Sequence, residues 1–203
     1  MNLLRPVFVA SQPKAGTYLC ANVLLELGYT GGPDGIMHIS TGKYELYPYP
    51  GQPMFAEARA NPRLVRHEVR YRKALTLVKK PNHFAVGHIG YQVNHRRFDD
   101  FKVILLTRPM QKIQQSLERW DQQSGRGPSN HKAVLRLAED VANWKSKEHL
   151  MPDNLFKLTF DDMKSFNIER IDELQKWLGV DPIKDSKTVL ENAMAKDSVT
   201  KVT

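Results

Sequence analysis

A largely apolar run, FKVILLT at residues 101–107, constrains the fold of this chain more than any other feature. The run is far too short to cross a bilayer as a helix, and it lacks the alternation of a strand with one solvated face. Continuous apolar runs of this length are typical of strands covered on both faces, as in parallel sheets packed between helices. The run therefore predicts a central strand of an α/β fold.

The rest of the chain alternates between strand and helix patterns, with no internal repeat and no interdomain linker. Further strands are predicted at residues 3–10, 83–88 and 155–160, and helices at residues 17–27, 109–120, 134–150 and 168–178, with a last helix beyond Pro182. We therefore expect an α/β fold: a three-layer parallel sheet of about four to five strands flanked by helices, of the P-loop nucleotide-binding type. A single domain is expected over residues 1–203.

Three segments are predicted to lie outside this alternation. Residues 28–53 are rich in Gly, Pro and Tyr and predict a long irregular connection that folds over a substrate, with His38 within reach of it. Residues 57–80 predict a strongly basic helix that exposes His67 to solvent. Residues 121–132 predict a mobile polar loop.

Charge and cysteine content narrow the class of protein. The chain has 30 basic and 22 acidic residues, a net charge of +8, which favours an anionic partner such as a nucleotide, nucleic acid or acidic lipid. Its one cysteine, Cys20, excludes an intramolecular disulfide and favours a reducing compartment. Because no apolar run has the length of a signal peptide or a membrane span, we expect a cytoplasmic protein with no membrane partner.

The turn between the first strand and the first helix, SQPKAG at residues 11–16, is placed to bind an anion. The unpaired N–H groups and the positive dipole end of the helix meet there. Gly16 allows close approach of the backbone, Lys14 adds a positive charge and Thr17 adds a hydroxyl. The turn is not a Walker A loop, because that pattern places its lysine after the second glycine. Alone, it predicts either a phosphate site or an ordinary tight connection.

Residues 13–17, PKAGT, resemble the PKSGT turn of the sulfotransferase family, which follows that family's first strand. In the family this turn binds the 5′-phosphosulfate of the donor, 3′-phosphoadenosine 5′-phosphosulfate (PAPS). The resemblance assigns Lys14, Ala15, Gly16, Thr17 and Tyr18 to donor binding. Many members have threonine and tryptophan where this chain has Tyr18 and Leu19, and that tryptophan helps to hold adenine.

A second resemblance follows the central strand. The family places an arginine at the end of that strand and a serine eight positions later, and both bind the 3′-phosphate of the donor. Here these residues are Arg108 and Ser116. An arginine fork suits a phosphate, and the spacing of about two helical turns keeps both residues on one face. Residues 155–163, LFKLTFDDM, followed by WLGV, resemble the family's late YEDL … FLG segment, whereas its RKGxxGxWK-like loop has no match in the sequence.

The resemblance implies a PAPS-dependent sulfotransferase that moves a sulfuryl group to an acceptor hydroxyl or amine and releases 3′,5′-adenosine bisphosphate. We expect a small-molecule acceptor, with carbohydrate and peptide left open. His88 is the predicted base, because it ends a strand at the same sheet edge as Lys14 and Arg108, and many members place a catalytic histidine there. Lys14 is predicted to stabilise the sulfuryl group and the leaving phosphate. No metal is expected, since residues 101–107 lead into Arg108 and not into an aspartate.

Two other functions remain open at this stage. A P-loop kinase-like nucleotide phosphotransferase is favoured by LFKLTFDD, an apolar run that ends in aspartates, but Lys14 is misplaced for it. A basic nucleic-acid-binding protein is favoured by the +8 charge and by RLVRHEVRYRKALTLVKK. Because neither an aromatic RNA-binding pattern nor zinc-finger spacing accompanies that segment, no nucleic-acid partner is expected.

Overall fold

The computed structural model describes residues 3–31, 35–40, 43–47, 66–67, 78–88, 100–124, 131–142 and 153–199. The strands are β1 (Val7–Ser11), β2 (Ile36–Ser40), β3 (Lys43–Tyr47), β4 (Arg66–His67), β5 (Phe84–His88), β6 (Lys102–Thr107) and β7 (Leu155–Thr159). The helices are α1 (Thr17–Glu26), α2 (Met110–Ser124), α3 (His131–Ala142), α4 (Phe160–Lys164), α5 (Ile168–Leu178) and α6 (Ser186–Val199).

The strands form one sheet in the order β4-β3-β2-β5-β1-β6-β7. The five strands from β2 to β7 in that order run parallel, and β3 and β4 extend one edge with antiparallel pairing. The predicted α/β fold with a parallel sheet of about four to five strands is therefore confirmed. All four strands predicted from the sequence belong to the parallel part, as β1, β5, β6 and β7.

Both faces of the central strands are buried, as residues 101–107 predict. Alternate residues of β6 enter two different hydrophobic clusters: Ile104 and Leu106 pack on the face that contains α1 and α5, and Val103 and Leu105 pack on the other. In β1, Val7 and Val9 share the first cluster, and Phe8 and Ala10 share the second. A strand with apolar neighbours on both sides has no polar positions, which is why its sequence does not alternate.

The prediction of an irregular connection over residues 28–53 is wrong at residues 36–40 and 43–47, whereas residues 28–31 and 35 belong to no helix or strand. Residues 36–40 and 43–47 form an antiparallel pair, and β2 continues the parallel sheet beside β5. Ile36 and Ile39 are fully buried. The abundant Gly, Pro and Tyr residues around this pair predict an irregular segment. The strand β2 forms because it pairs with β5, a strand about fifty residues further along the chain. Residues 32–34, 41–42 and 48–53 lie outside the described residues.

Two further predictions need correction. Arg66–His67 form β4 on the edge of β3, so the predicted basic helix is wrong there: pairing with a neighbouring strand overrides local helix preference. Within the predicted polar loop of residues 121–132, both ends are helical, because α2 continues to Ser124 and α3 begins at His131. A contact of 2.6 Å between His131 Nε2 and Asp121 Oδ2 joins the two helices. Residues 57–65, 68–77 and 125–130 lie outside the described residues.

The C-terminal elements follow the prediction closely. The helix predicted at residues 168–178 is α5, and Gly179 ends it with a φ of 82°. The helix expected beyond Pro182 is α6. Thr159, directly before the FDDM segment, is the N-cap of α4 and forms a capping box with Asp162. The Thr159 side chain accepts from the backbone N–H of Asp162, and the Asp162 side chain accepts from the backbone N–H of Thr159. This supports the interpretation of that segment as structural.

We predict that Gly87→Ala destabilises the protein by at least about 2 kcal/mol, because the added methyl group overpacks the sheet. A Cβ at this position would lie 1.9 Å from the carbonyl oxygen of Ile39, so β2 and β5 would have to separate. Urea unfolding followed by circular dichroism measures the effect. The control is Gly28→Ala, where a Cβ meets no atom within 4 Å and only the φ of 94° is unfavourable. Equal losses in the two variants would contradict the proposed steric cause.

Candidate active site

The predicted site residues meet at the edge of the sheet where its parallel strands end. Ser11 ends β1, His88 ends β5 and Thr107 ends β6, so the turn after β1 and Arg108 after β6 begin side by side. The carboxyl edge of a parallel sheet is the usual ligand-binding position in α/β proteins. The structure therefore brings Lys14, His88 and Arg108 to one edge, as their positions in the sequence predict.

The turn presents its backbone to an anion. Gly16, with a φ of 85°, is the N-cap of α1, and Lys14 also adopts a left-handed conformation with a φ of 60°. In the part of the chain that the structure describes, no side chain caps α1, and the first turn of α1 contains no acidic residue. A Cβ on Gly16 would lie 2.4 Å from Cδ2 of Phe160, so the turn packs directly against that ring. The N–H groups and dipole of α1 thus stay available for a bound anion.

Arg108 is fixed against this turn. One guanidinium nitrogen donates to the carbonyl oxygen of Lys14 at 2.9 Å, and the guanidinium carbon lies 4.2 Å from the ring centre of Phe160. The buried Nε atom has no hydrogen-bond partner among the described residues. Burial lowers the pKa of Arg108 from its usual value, and Asp161 acts in the opposite direction. A buried donor of this kind fits an anionic ligand that would accept from it.

Lys14 and Ser116 lie on the side of α2 that carries Trp120. The ammonium nitrogen of Lys14 lies 4.2 Å from the ring centre of Trp120, within the range of a cation–π contact. Trp120 follows Ser116 by about one turn of α2, so both face the same side of that helix. Ile113 and Leu117 lie on the same face of α2 as these two residues, since the four stand at positions i, i+3, i+4 and i+7, and they pack against Ala138 of α3. Ser116 is thereby directed to the side of α2 on which Lys14 lies.

His88 is oriented by the end of β1. Its Nδ1 lies 2.9 Å from the backbone carbonyl oxygen of Ser11. A carbonyl oxygen can only accept, so Nδ1 carries the proton, and the lone pair of the neutral ring is on Nε2. His38, in β2, is nearly buried and packs edge-on against His88 at 4.8 Å between ring centres. The structure therefore places His38 beside the predicted base, within a strand and not in an irregular loop.

Gln12 is a site residue that the sequence did not reveal. It is 2% exposed, its side-chain oxygen accepts from the backbone N–H of Arg108 at 2.6 Å, and its amide nitrogen donates to the carbonyl oxygen of Ala138 at 2.9 Å. Gln12 thus joins the ends of β1 and β6 to α3. The only signal in the sequence is its position directly before residues 13–17. Phe160, which packs on both Gly16 and Arg108, belongs to the segment that resembles the family's late YEDL motif, but no pattern in the sequence links it to the turn, because it lies about 50 residues beyond Arg108 and about 140 beyond Gly16.

Several other residues can be assigned plainly. His83 stands at the opposite end of β5, with Nδ1 at 2.9 Å from the carbonyl oxygen of Pro81, and His95 lies outside the described residues. Burial raises the pKa of the Cys20 thiol to about 12, which leaves it unreactive.

Within the described ranges, no group of three or more His, Cys, Asp or Glu residues is arranged to hold a metal ion. None of the described helices is both long and apolar enough to cross a bilayer.

We predict that Gln12→Leu destabilises the protein by about 2 kcal/mol or more, because the part-buried N–H of Arg108 and the buried carbonyl of Ala138 lose their partners. Chemical unfolding gives the free-energy difference. Gln114→Leu is the matched control: Gln114 is exposed on α2 and bonds only to Glu118 among the contacts described, so a change within about 0.5 kcal/mol is expected. A loss in Gln12→Leu no larger than in the control would contradict the role given to Gln12.

No protein-family model and no curated protein sequence matches this chain. Among solved structures, the chain is similar to the mouse sulfotransferase SULT7A1 complexed with PAP, with a TM-score of 0.53 and 18% sequence identity. The similarity covers 95% of this chain and 64% of that one, so the chain spans about two thirds of the length of its structural neighbour. At this level of identity the comparison carries the fold alone. The chain has the sulfotransferase fold, which agrees with the resemblance found in its sequence.

Proposed function

We propose that this protein is a sulfotransferase that moves a sulfuryl group from PAPS to a hydroxyl or amine of an acceptor, which we take to be a small molecule. The observation that carries the proposal is Arg108, whose buried Nε has no hydrogen-bond partner among the described residues. It lies beside a helix N-terminus that no described side chain caps. A buried cationic donor beside a helix N-terminus favours a ligand with more than one anionic group.

PAPS meets this requirement with a 5′-phosphosulfate and a separate 3′-phosphate. We assign the phosphosulfate to the turn, with the backbone of Ala15, Gly16 and Tyr18, the hydroxyl of Thr17 and the ammonium of Lys14. The 3′-phosphate is assigned to Arg108 and Ser116. PAP, the ligand in the structure of mouse SULT7A1, is PAPS without its sulfuryl group, that is, 3′,5′-adenosine bisphosphate.

The reaction needs one base and local stabilisation of negative charge. The acceptor oxygen or nitrogen forms a bond to sulfur while Nε2 of His88 takes its proton. The bond between sulfur and the bridging oxygen breaks, and its electron pair stays with the 5′-phosphate of the departing 3′,5′-adenosine bisphosphate. Lys14 and the N–H groups of the turn stabilise the charge that develops there. No step requires a metal ion.

The aspartates after β7 support this proposal over a kinase-like function. A nucleotide kinase would need them to hold magnesium. Asp162 instead accepts hydrogen bonds from the backbone N–H and the hydroxyl of Thr159, at 2.8 Å and 2.7 Å. Asp161 lies 3.4 Å from the ammonium of Lys112. We further propose a cytoplasmic location, since the single cysteine, Cys20, is buried and free.

We predict that 3′,5′-adenosine bisphosphate binds more tightly than ATP with Mg²⁺ when each is titrated calorimetrically into the protein. Arg108→Ala should weaken binding of the bisphosphate about 10- to 100-fold, since a charge-assisted hydrogen bond contributes about 1.5–3 kcal/mol. Lys187→Ala is the control for lost positive charge, because this lysine is exposed on α6. Tighter binding of ATP with Mg²⁺, or equal effects of the two substitutions, would reject the proposed donor.

We predict that His88→Ala lowers sulfate transfer from PAPS by about 10²- to 10⁴-fold, the range of a lost general base, while the bisphosphate still binds. Radiolabelled sulfate transfer to a panel of phenols, alcohols and amines, together with calorimetry, gives both quantities. His83→Ala is the control, because His83 lies at the other end of the same strand. Full activity in His88→Ala would rule out His88 as the base.

We predict that Lys14→Ala also abolishes transfer, because the developing charge on the leaving phosphate loses its nearest mobile cation. The same transfer assay measures this effect. Lys14→Arg keeps the charge but changes its shape, and we expect it to recover only part of the activity. Activity in Lys14→Ala equal to that of the unmodified protein would contradict the role assigned to Lys14.

A further inference from the structure

Ser11 is the residue through which the donor turn and the proposed base are connected. Its side chain is fully buried at the end of β1. The hydroxyl oxygen lies 2.8 Å from the hydroxyl of Thr17 and 3.1 Å from Nδ1 of His88. Its backbone carbonyl oxygen lies 2.9 Å from the same Nδ1. One residue therefore supplies both of the oxygen atoms that these contacts place beside Nδ1.

The direction of each hydrogen bond follows from what each group can donate. The carbonyl oxygens of Ser11 and Gly87 can only accept, and Gly87 O lies 3.3 Å from the Ser11 hydroxyl. Nδ1–H of His88 is therefore shared between the carbonyl and hydroxyl oxygens of Ser11, while the Ser11 proton goes to Gly87 or Thr17. The hydroxyl is held by Thr17 and Gly87 and cannot turn away from the ring without losing a buried hydrogen bond.

We propose that Ser11 is a positioning residue for His88: its backbone carbonyl fixes the ring as the Nδ1–H tautomer, its hydroxyl, anchored on Thr17, holds the ring in place as a second acceptor for Nδ1–H, and Nε2 is left to receive the acceptor proton. The kinetic part of this inference rests on the proposed sulfotransferase function, whereas the tautomer is a property of the folded protein alone. His38 packs on His88 edge-on, and Tyr18 stacks on His38 at 6.3 Å between ring centres. These rings limit the tilt of His88, while Ser11 determines which nitrogen carries the proton.

A purely structural role for Ser11 predicts something different. In that case its hydroxyl serves only to satisfy Thr17, and its removal lowers stability without altering the state of His88. The two roles are separated by a spectroscopic signature of the ring and by a comparison of kcat with donor binding, neither of which follows from stability alone.

The first measurement is the long-range ¹H–¹⁵N correlation spectrum of protein labelled at histidine, at a pH where the ring of His88 is neutral. A His88→Gln sample assigns the signal. We expect the Nδ1–H tautomer in the unmodified protein and also in Ser11→Ala, which keeps the backbone carbonyl, but we expect the Nδ1 and Nδ1–H chemical shifts to change in Ser11→Ala because the hydroxyl no longer shares that proton. Ser11→Cys, which keeps a side chain with a weakly hydrogen-bonding sulfur, should resemble Ser11→Ala. An Nε2–H ring in the unmodified protein, or the same spectrum in all three proteins, overturns the proposal.

The second measurement is a double-mutant cycle for sulfate transfer. We expect Ser11→Ala to lower kcat on the order of tenfold, with affinity for 3′,5′-adenosine bisphosphate changed less than about threefold, because positioning acts on the proton-transfer step. In a His88→Ala background, Ser11→Ala should have no further effect on kcat, since its target is absent. An equal tenfold loss in both backgrounds overturns the proposal.

The two measurements also distinguish failure of this inference from failure of the proposed function. If the unmodified protein transfers no sulfate and does not bind the bisphosphate, the sulfotransferase proposal fails. The spectrum of His88 still shows whether Ser11 fixes the ring. If transfer occurs and the spectrum does not respond to Ser11→Ala, only the role of Ser11 is rejected. If Ser11→Ala does not fold, Ser11→Cys, which retains the size of the side chain, takes its place in both experiments.

Discussion

The parallel pairing of β1 with β5 on one side and β6 on the other is the constraint on which the rest of this structure depends. Because the three strands run in the same direction and in register, their carboxyl ends meet within a few residues of one another. The residues that follow them, or end them, come from positions 11–17, 88 and 108. No local feature of the chain would bring these positions together. The apolar filling of both faces fixes the pairing, and the pairing fixes the site.

The conformation of Lys14 and the burial of Arg108 lower the stability of the site, and the packing and hydrogen bonds of neighbouring residues offset this cost. Lys14 lies in a left-handed conformation, which costs a residue with a side chain roughly 1–2 kcal/mol. Arg108 is partly buried with one donor nitrogen that lacks a hydrogen-bond partner among the described residues. Phe160 packs on both Gly16 and the guanidinium, and Gln12 connects the ends of two strands to α3. A bound polyanion would relieve part of this cost, so ligand binding and site stability should be coupled.

Residue patterns in the sequence were most informative where burial or a fixed spacing determines the structure. Residues 101–107 identified a strand buried on both faces, and the strand, turn and helix around Gly16 located a candidate anion site. They failed for residues 36–40 and 43–47, because the pairing of those strands depends on β5 and not on their own alternation. The sequence patterns also failed at Arg66–His67, which form an edge strand although the surrounding basic composition predicts a helix. In both cases a distant partner decided the local structure.

The sequence by itself determined the fold class, located the turn as a candidate anion site, and placed Lys14, His88 and Arg108 at or just after the ends of central strands. These features are local, because strand burial, helix capping and the chemistry of a side chain can be read from neighbouring positions. Only the tertiary structure decided that Ser11 lies between Thr17 and His88, that Gln12 supports Arg108, and that Phe160 packs on the turn. Those contacts join residues up to about 150 positions apart, whose distances depend on how the sheet is assembled and leave no pattern in the sequence.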